Sequence, residues 1–323
     1  MRIDKSLQFL AISLLMINTA CFKDIEIDIE EAENRLVLNG WFQSGKTPEV
    51  KVYASKGVFE PGGTKQLSDA QIQLFENDEF ATELVYNDSG FYQSKEIILT
   101  PENTYRVEVS HPSYPAVSAT VKMPAALNDN EVQMQHRISD GFTEFGYTYS
   151  GSSEITITLN DDGSEDNYYI FDVLYKNTFY QEFDNPDPDT TYTSFSYGGS
   201  LTSDNPTVEY FYLSFDGYLA LSDQLFNGDN YTVILNSFSD LRFQEITQED
   251  EYYNKNEYFV QVHNVSPALY RYMQSVENNQ YPEPFTEPTQ LFSNVEGGYG
   301  ILGASSISSI PILEEYVQDN NSF

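Results

Sequence analysis

Apolar and polar residues alternate with a period of two through much of the chain. Ala70, Ile72 and Leu74 alternate with Gln71 and Gln73, and Tyr105, Val107 and Val109 with Arg106 and Glu108. Val117, Ala119, Val121 and Met123 alternate in the same way with Ser118, Thr120 and Lys122. Successive side chains of a strand point to opposite faces, so each stretch predicts a strand with one dry face and one wet face. Comparable stretches at 36–42 and 50–54, with the turn residues Asn87-Asp88-Ser89-Gly90, give about six or seven strands over 34–125. That is the dimension of an immunoglobulin-like β-sandwich. Residues 124–129 lose the periodicity and read as a linker.

A larger β-domain is expected over 129–310. Ile155, Ile157 and Leu159 alternate cleanly, whereas 168–175 is apolar on both faces, as a central strand covered on two sides should be. The acidic, proline-broken run 184–190 reads as an exposed insertion, and strands resume at 208–215, 231–238, 241–246 and 258–263. The pattern then switches to a helical period. Ser266 suits an N-cap, Pro267 the first helical position, and Leu269, Tyr270, Met273 and Val276 fall on one face, predicting a helix over 267–278. So short a helix is marginal alone, so it is expected to dock on the second domain. The glycines of Gly297-Gly298-Tyr299-Gly300 predict a turn closing over that joint, with Gly298 a candidate for positive φ. Residues 311–323 are left as a tail. The fold class is mainly all-β, a preference that 25 Tyr and 22 Phe reinforce.

The first residues follow a different logic. Arg2 and Lys5 precede an apolar run from Leu7 to Ile17 and a small-residue end at Thr19-Ala20, the pattern of a secretory signal peptide over 1–20. The run is short for a membrane-spanning anchor, which needs roughly twenty residues. Cys21, the single cysteine, stands where the signal would be cut and matches a bacterial lipobox, although Asn18 replaces the usual leucine three positions earlier. Lipidation of Cys21 is the expectation, and cleavage leaving a spare thiol is the alternative. Residues 21–33 are acidic and read as a solvated tether, and Lys23-Asp24 looks like a surface-export signal.

Charge and chemistry narrow the function. A net charge of −34 repels nucleic acid and excludes it as a partner. His111, His136 and His263 are the three histidines, and no two have close metal-ligand spacing. With 50 carboxylates in the chain, an apparent acid–base pair arises by chance, so a secreted hydrolase is only a foil. The acidic runs 160–166 and 184–189 lack the spacing of a calcium loop and read as solvated turns. Trp41, the sole tryptophan, sits in a strand pattern and reads as core packing. The glycine turn has no following lysine or helix start, so it is structural rather than a phosphate cradle. No catalytic, metal or cofactor residues are therefore expected, and ligand-binding residues are not legible.

Several motifs together resemble a known family. They are Leu36-Val37-Leu38-Asn39-Gly40-Trp41, Thr104-Tyr105-Arg106-Val107-Glu108-Val109, Met123-Pro124, and Asp161-Asp162-Gly163 with Asn167-Tyr168-Tyr169. Ser222-Asp223 with Phe226-Asn227-Gly228 and Ser293-Asn294-Val295-Glu296-Gly297-Gly298-Tyr299-Gly300 complete the set. In this order, behind a lipobox, they look like the Bacteroidota lipoproteins grouped as the domain-of-unknown-function 4249 family. The resemblance implies a partner, a TonB-dependent outer-membrane transporter, and brings no catalytic residues. The functional expectation is a non-catalytic binding accessory in nutrient uptake, lipid-anchored in the outer membrane at the cell surface. A periplasmic-facing location and a structural or adhesive role are the alternatives.

Overall fold

The structure is a computed structural model that describes residues 33–57, 60–127, 132–139, 152–161, 163–181, 191–197, 201–213, 216–237, 252–280 and 290–311. The leader, Cys21, nearly all of the tether, the run 184–189, the strand expected at 241–246 and the tail from 312 lie outside them. From Asn34 onward the described residues form one compact unit.

The first lobe holds β1 (Leu36–Gln43), β2 (Glu49–Ala54), β3 (Lys65–Gln66), β4 (Gln71–Glu76), β5 (Glu79–Tyr86), β6 (Tyr92–Gln93), β7 (Thr104–His111) and β8 (Tyr114–Lys122). The second holds β9 (Val132–Ser139), β10 (Ser152–Asn160), β11 (Tyr168–Gln181), β12 (Thr191–Tyr197), β13 (Leu201–Thr202), β14 (Glu209–Leu213), β15 (Asp216–Ser222), β16 (Asn230–Ser237) and β17 (Tyr252–Val265). A 3-10 turn, Asp223–Leu225, follows β15, and helix α1 (Pro267–Gln280) follows β17. The described chain ends with β18 (Val295–Glu296) and β19 (Tyr299–Pro311). The fold is mainly β, as the alternation predicts.

One long sheet runs β14-β15-β11-β17-β19-β1-β2-β6-β5-β4-β7-β8-β18, with β12 on β11 and β3 on β2. It turns a corner through β6 and β5, so Leu36, Leu38, Val50 and Val52 face Ile72, Leu74, Val107 and Ala119 in one sandwich core. The wet residues Gln71 and Gln73 point outward, as the period of two requires. A second sheet, β13-β16-β10-β9, closes the other lobe, where Ile155, Ile157, Val233 and Leu235 pack on Tyr169, Phe171, Val260 and Val262. The two-sided apolar run of β11 is explained by its place between β15 and β17: Tyr169 and Phe171 enter this core, while Tyr168 and Ile170 face α1.

β19 joins the lobes. Its first half lies parallel to β1 over seven register pairs, from Val37 with Tyr299 to Gln43 with Ser305. Its second half is antiparallel to β17, from Val265 with Ser305 to Phe259 with Pro311. Leu302, Ala304 and Val295 thus complete the first-lobe core, although they lie far along the chain from it. The linker is pinned to the same strands: Pro124 O accepts from Ser306 Oγ at 2.6 Å, and Ala125 O from Asn264 Nδ2 at 3.2 Å.

The helix begins where expected and runs two residues further, to Gln280. Ser266 Oγ accepts from Leu269 N at 3.4 Å and also from Ala304 N at 3.0 Å, so the cap is tied to β19. Leu269, Tyr270 and Met273 are buried with Tyr168, Phe211 and Val265, and Trp41 and Tyr218 pack beside them. Two expectations are corrected. The glycine turn does not close over the helix joint but belongs to the first lobe, because β18 pairs with β8 and β19 with β1. Positive φ occurs at Gly297 (+78) and Gly300 (+108), not Gly298, whose constraint is that a Cβ would run into the carbonyl of Leu36.

Candidate functional site

Several of the motifs that carry the sequence resemblance form joints of the scaffold. Asp161, at the end of β10, is nearly buried, and both its oxygens are occupied. Oδ1 accepts from Tyr169 OH and Asn167 Nδ2, each at 3.0 Å, and Oδ2 from the backbone N–H of Gly228 at 2.7 Å and Gly163 at 3.2 Å. Asp161 is thus not the solvated turn residue expected. A carboxylate taking four protein donors stitches two turns and has little capacity left for a cation. Gly163 and Gly228 meet there, and a Cβ on Gly163 would stand 2.7 Å from Gly228 Cα. Asp223 is fully buried beside them, its Oδ2 accepting from Asn167 N at 2.5 Å while Oδ1 has no partner. Burial pushes this carboxyl above the ordinary carboxylate range against the Asn167 bond, and the charges of Asp161 and Asp166 push the same way.

The last motif is a second joint. Asn294 acts as a surrogate strand residue, its Oδ1 accepting from Leu302 N and its Nδ2 donating to Leu302 O, both at 2.9 Å. Trp41 Nε1 donates to Ser305 Oγ at 2.8 Å across the β1/β19 pair, so the tryptophan is half-buried and linking rather than simple core.

The histidines separate. His111 Nδ1 accepts from Ser113 N at 3.0 Å, which places the proton on Nε2, 3.2 Å from Asp69 Oδ1, so this histidine ties the β7/β8 hairpin to the neighbouring loop. His136 lies in β9 opposite Ile155. His263 is buried on β17 with neither ring nitrogen hydrogen-bonded, 6.2 Å from the Trp41 ring. Among the described residues, no three His, Cys, Asp or Glu side chains are grouped to hold a metal ion.

Burial holds the His263 imidazole down to about 4, from an ordinary 6.5. The unfolded chain therefore binds a proton that the folded chain refuses, so stability present above pH 6.5 is lost as pH falls toward 4. Between pH 7 and 5, above the isoelectric point of about 4.1, this group should remove about 2 kcal/mol. Urea titrations at the two pH values should show wild type losing that much more than His263→Phe. Equal losses would contradict the assignment.

Among the described residues, a concavity that could receive another molecule lies elsewhere, on the outer face of the first lobe. A groove of about 530 Å³ crosses β5, β4, β7, β8 and β18. Its floor is one cross-strand rung, Glu83 beside Gln73, Gln73 beside Glu108, Glu108 beside Ser118 and Ser118 beside Glu296. Strand spacing sets its carboxylates about 10 Å apart. Arg106 pairs with Glu108 and covers the Phe75 ring at 4.0 Å, bounding the rung. Of these residues the sequence marks Gln73, Glu108 and Ser118 as wet strand positions and Glu296 as part of the glycine-turn motif. Nothing in it gives the register that aligns Glu83 with Glu296 across five strands.

Comparison with known proteins adds a family and little else. A search of curated proteins finds no match. Among solved structures, the chain aligns with a partial N-terminal region of an enterococcal surface protein at 9% identity, covering 75% of this chain and 92% of that one, with a TM-score of 0.17. It also aligns with the collagen-binding domain of the Erysipelothrix rhusiopathiae surface protein RspB at 10% identity, covering 88% and 98%, with a TM-score of 0.18. Scores this low establish no common architecture, and the collagen binding is that protein's. The family model described as "Domain of unknown function (DUF4249)" matches residues 23–310, which include all the joints described above, and the chain belongs to that family.

Proposed function

We propose that this protein is a lipid-anchored outer-membrane lipoprotein displayed at the cell surface, where it serves as a non-catalytic binding accessory to a TonB-dependent transporter in nutrient uptake. The observation that carries the reading is the contrast between its two polar regions. Asp161, Asn167 and Asn264 hydrogen-bond across turns and to the linker, whereas the groove on the outer face of the first lobe is open and lined by acids and amides. Such a surface suits contact with another molecule rather than enclosure of a reacting one. Among the described residues no helix is long and apolar enough to cross a membrane, and in this reading a lipid on Cys21 provides the attachment.

Each part has a test. Cys21→Ala should move the protein from the membrane fraction to the soluble one, because each buried lipid methylene contributes about 0.8 kcal/mol that nothing else replaces. Retention in the membrane would refute lipid anchoring. Protease added to intact cells should remove the body of the protein, whereas protection until the outer membrane is opened would place it on the periplasmic face. Mild-detergent purification should bring a β-barrel transporter with it, less so for the double variant Glu83→Lys, Glu296→Lys. Purification without a barrel would favour the structural or adhesive role.

A further inference from the structure

We propose that the β1/β19 pair is a mechanical clamp that resists tension between the anchor and the second lobe of the protein. The inference rests on the anchored reading in one respect, that tension enters the chain at Cys21. A load held on the second lobe pulls against that point, and the first described strand along the chain is β1. How a strand resists depends on pulling direction. When two parallel strands are drawn apart from the same end, their hydrogen bonds open one after another. When one is pulled by its N-terminus and the other toward its C-terminus, the bonds lie across the load and must fail together.

The topology selects the second case. β1 enters from the anchor side and runs parallel to β19 for seven register pairs, after which β19 continues into the second lobe on β17. The anchor therefore draws β1 toward its N-terminus while the second lobe draws β19 toward its C-terminus. On its other edge β1 is antiparallel to β2 over five pairs, so both flanks resist sliding. The clamp is closed at its far end by Trp41 Nε1 on Ser305 Oγ and by Ser44 N on Ser305 O at 2.9 Å. Leu36, Leu38 and Phe42 are fully buried, so sliding β1 also draws three large side chains through packed core.

Single-molecule pulling of the full mature, unlipidated chain tests this directly, with Cys21 as one handle. The second handle is placed on β19 itself, at exposed Ser309→Cys beyond the far end of the clamp or at exposed Tyr299→Cys at its near end. Both variants should melt like wild type. Rupture force, which reports the unfolding barrier along the pulled direction, should be several-fold higher from 309 than from 299. Equal forces, or a higher force from 299, would overturn the clamp. Should Tyr299→Cys fail to fold, exposed Leu291→Cys pulls from the same end once the two-residue β18/β8 pair has opened. Membrane release by Cys21→Ala is measured separately, so failure of the clamp and failure of the anchor are distinguishable.

Discussion

Met273→Ala and Leu269→Ala are each expected to destabilise the protein by about 2–5 kcal/mol, through lost apolar contact and the cavity left behind. Met273 is fully buried and Leu269 nearly so. Leu269 sits directly over Gly303 of β19, where even a Cβ would stand 2.9 Å from its side chain. Gly303 is the register partner of Trp41 in β1, so the helix packs on the strand shared by both lobes. Docking on the second domain alone, as the sequence predicts, would confine the damage to that domain. The structure changes that expectation: loosening α1 frees the cap that Ser266 places on Ala304 and so loosens β19 for both lobes. Urea unfolding followed by Trp41 fluorescence should give a lower midpoint with an unchanged slope. An unchanged midpoint with weakened transporter co-purification would instead make the helix face the partner contact.

Gly300→Ala should have an effect at least as large, about 4 kcal/mol or more, because strain and overlap act together. At φ +108 an L side chain is strained, and the added Cβ would overlap the carbonyl oxygen of Leu38 and approach Asn39 Oδ1. That carbonyl belongs to β1, so relief can come only by moving β19 away. Gly62 provides the control, since its φ is +94 and nothing stands within 4 Å of its Cβ position. Gly62→Ala carries the strain without the overlap and should cost only about 1–2 kcal/mol. Similar losses at both glycines in thermal melts would show that β1 and β19 are not packed as closely as described.

What could be read from the sequence was local. Period-two alternation identified the strands holding Ile72, Val107 and Ala119, and the two-sided run of β11 followed from the absence of alternation. Ser266, Pro267 and the spacing of Leu269 and Met273 gave the helix and its buried face. What could not be read was pairing between distant segments. The parallel register of Leu38 with Gly300 has no local signature, so the glycine turn was assigned to the wrong neighbour. For the same reason Asp161 read as a solvated turn residue, since its donors include Gly228, 67 positions away. The groove was invisible because its rung gathers residues from five strands, each unremarkable alone.

The account holds that several of the family's motifs are joints and that β19 makes two lobes one cooperative structure. Scanning calorimetry of the mature protein tests this most directly, with wild type and Met273→Ala compared at neutral pH. The account predicts a single transition whose calorimetric and van't Hoff enthalpies agree, shifted as a whole in the variant. Two resolved transitions, with the first-lobe transition unmoved by Met273→Ala, would contradict it.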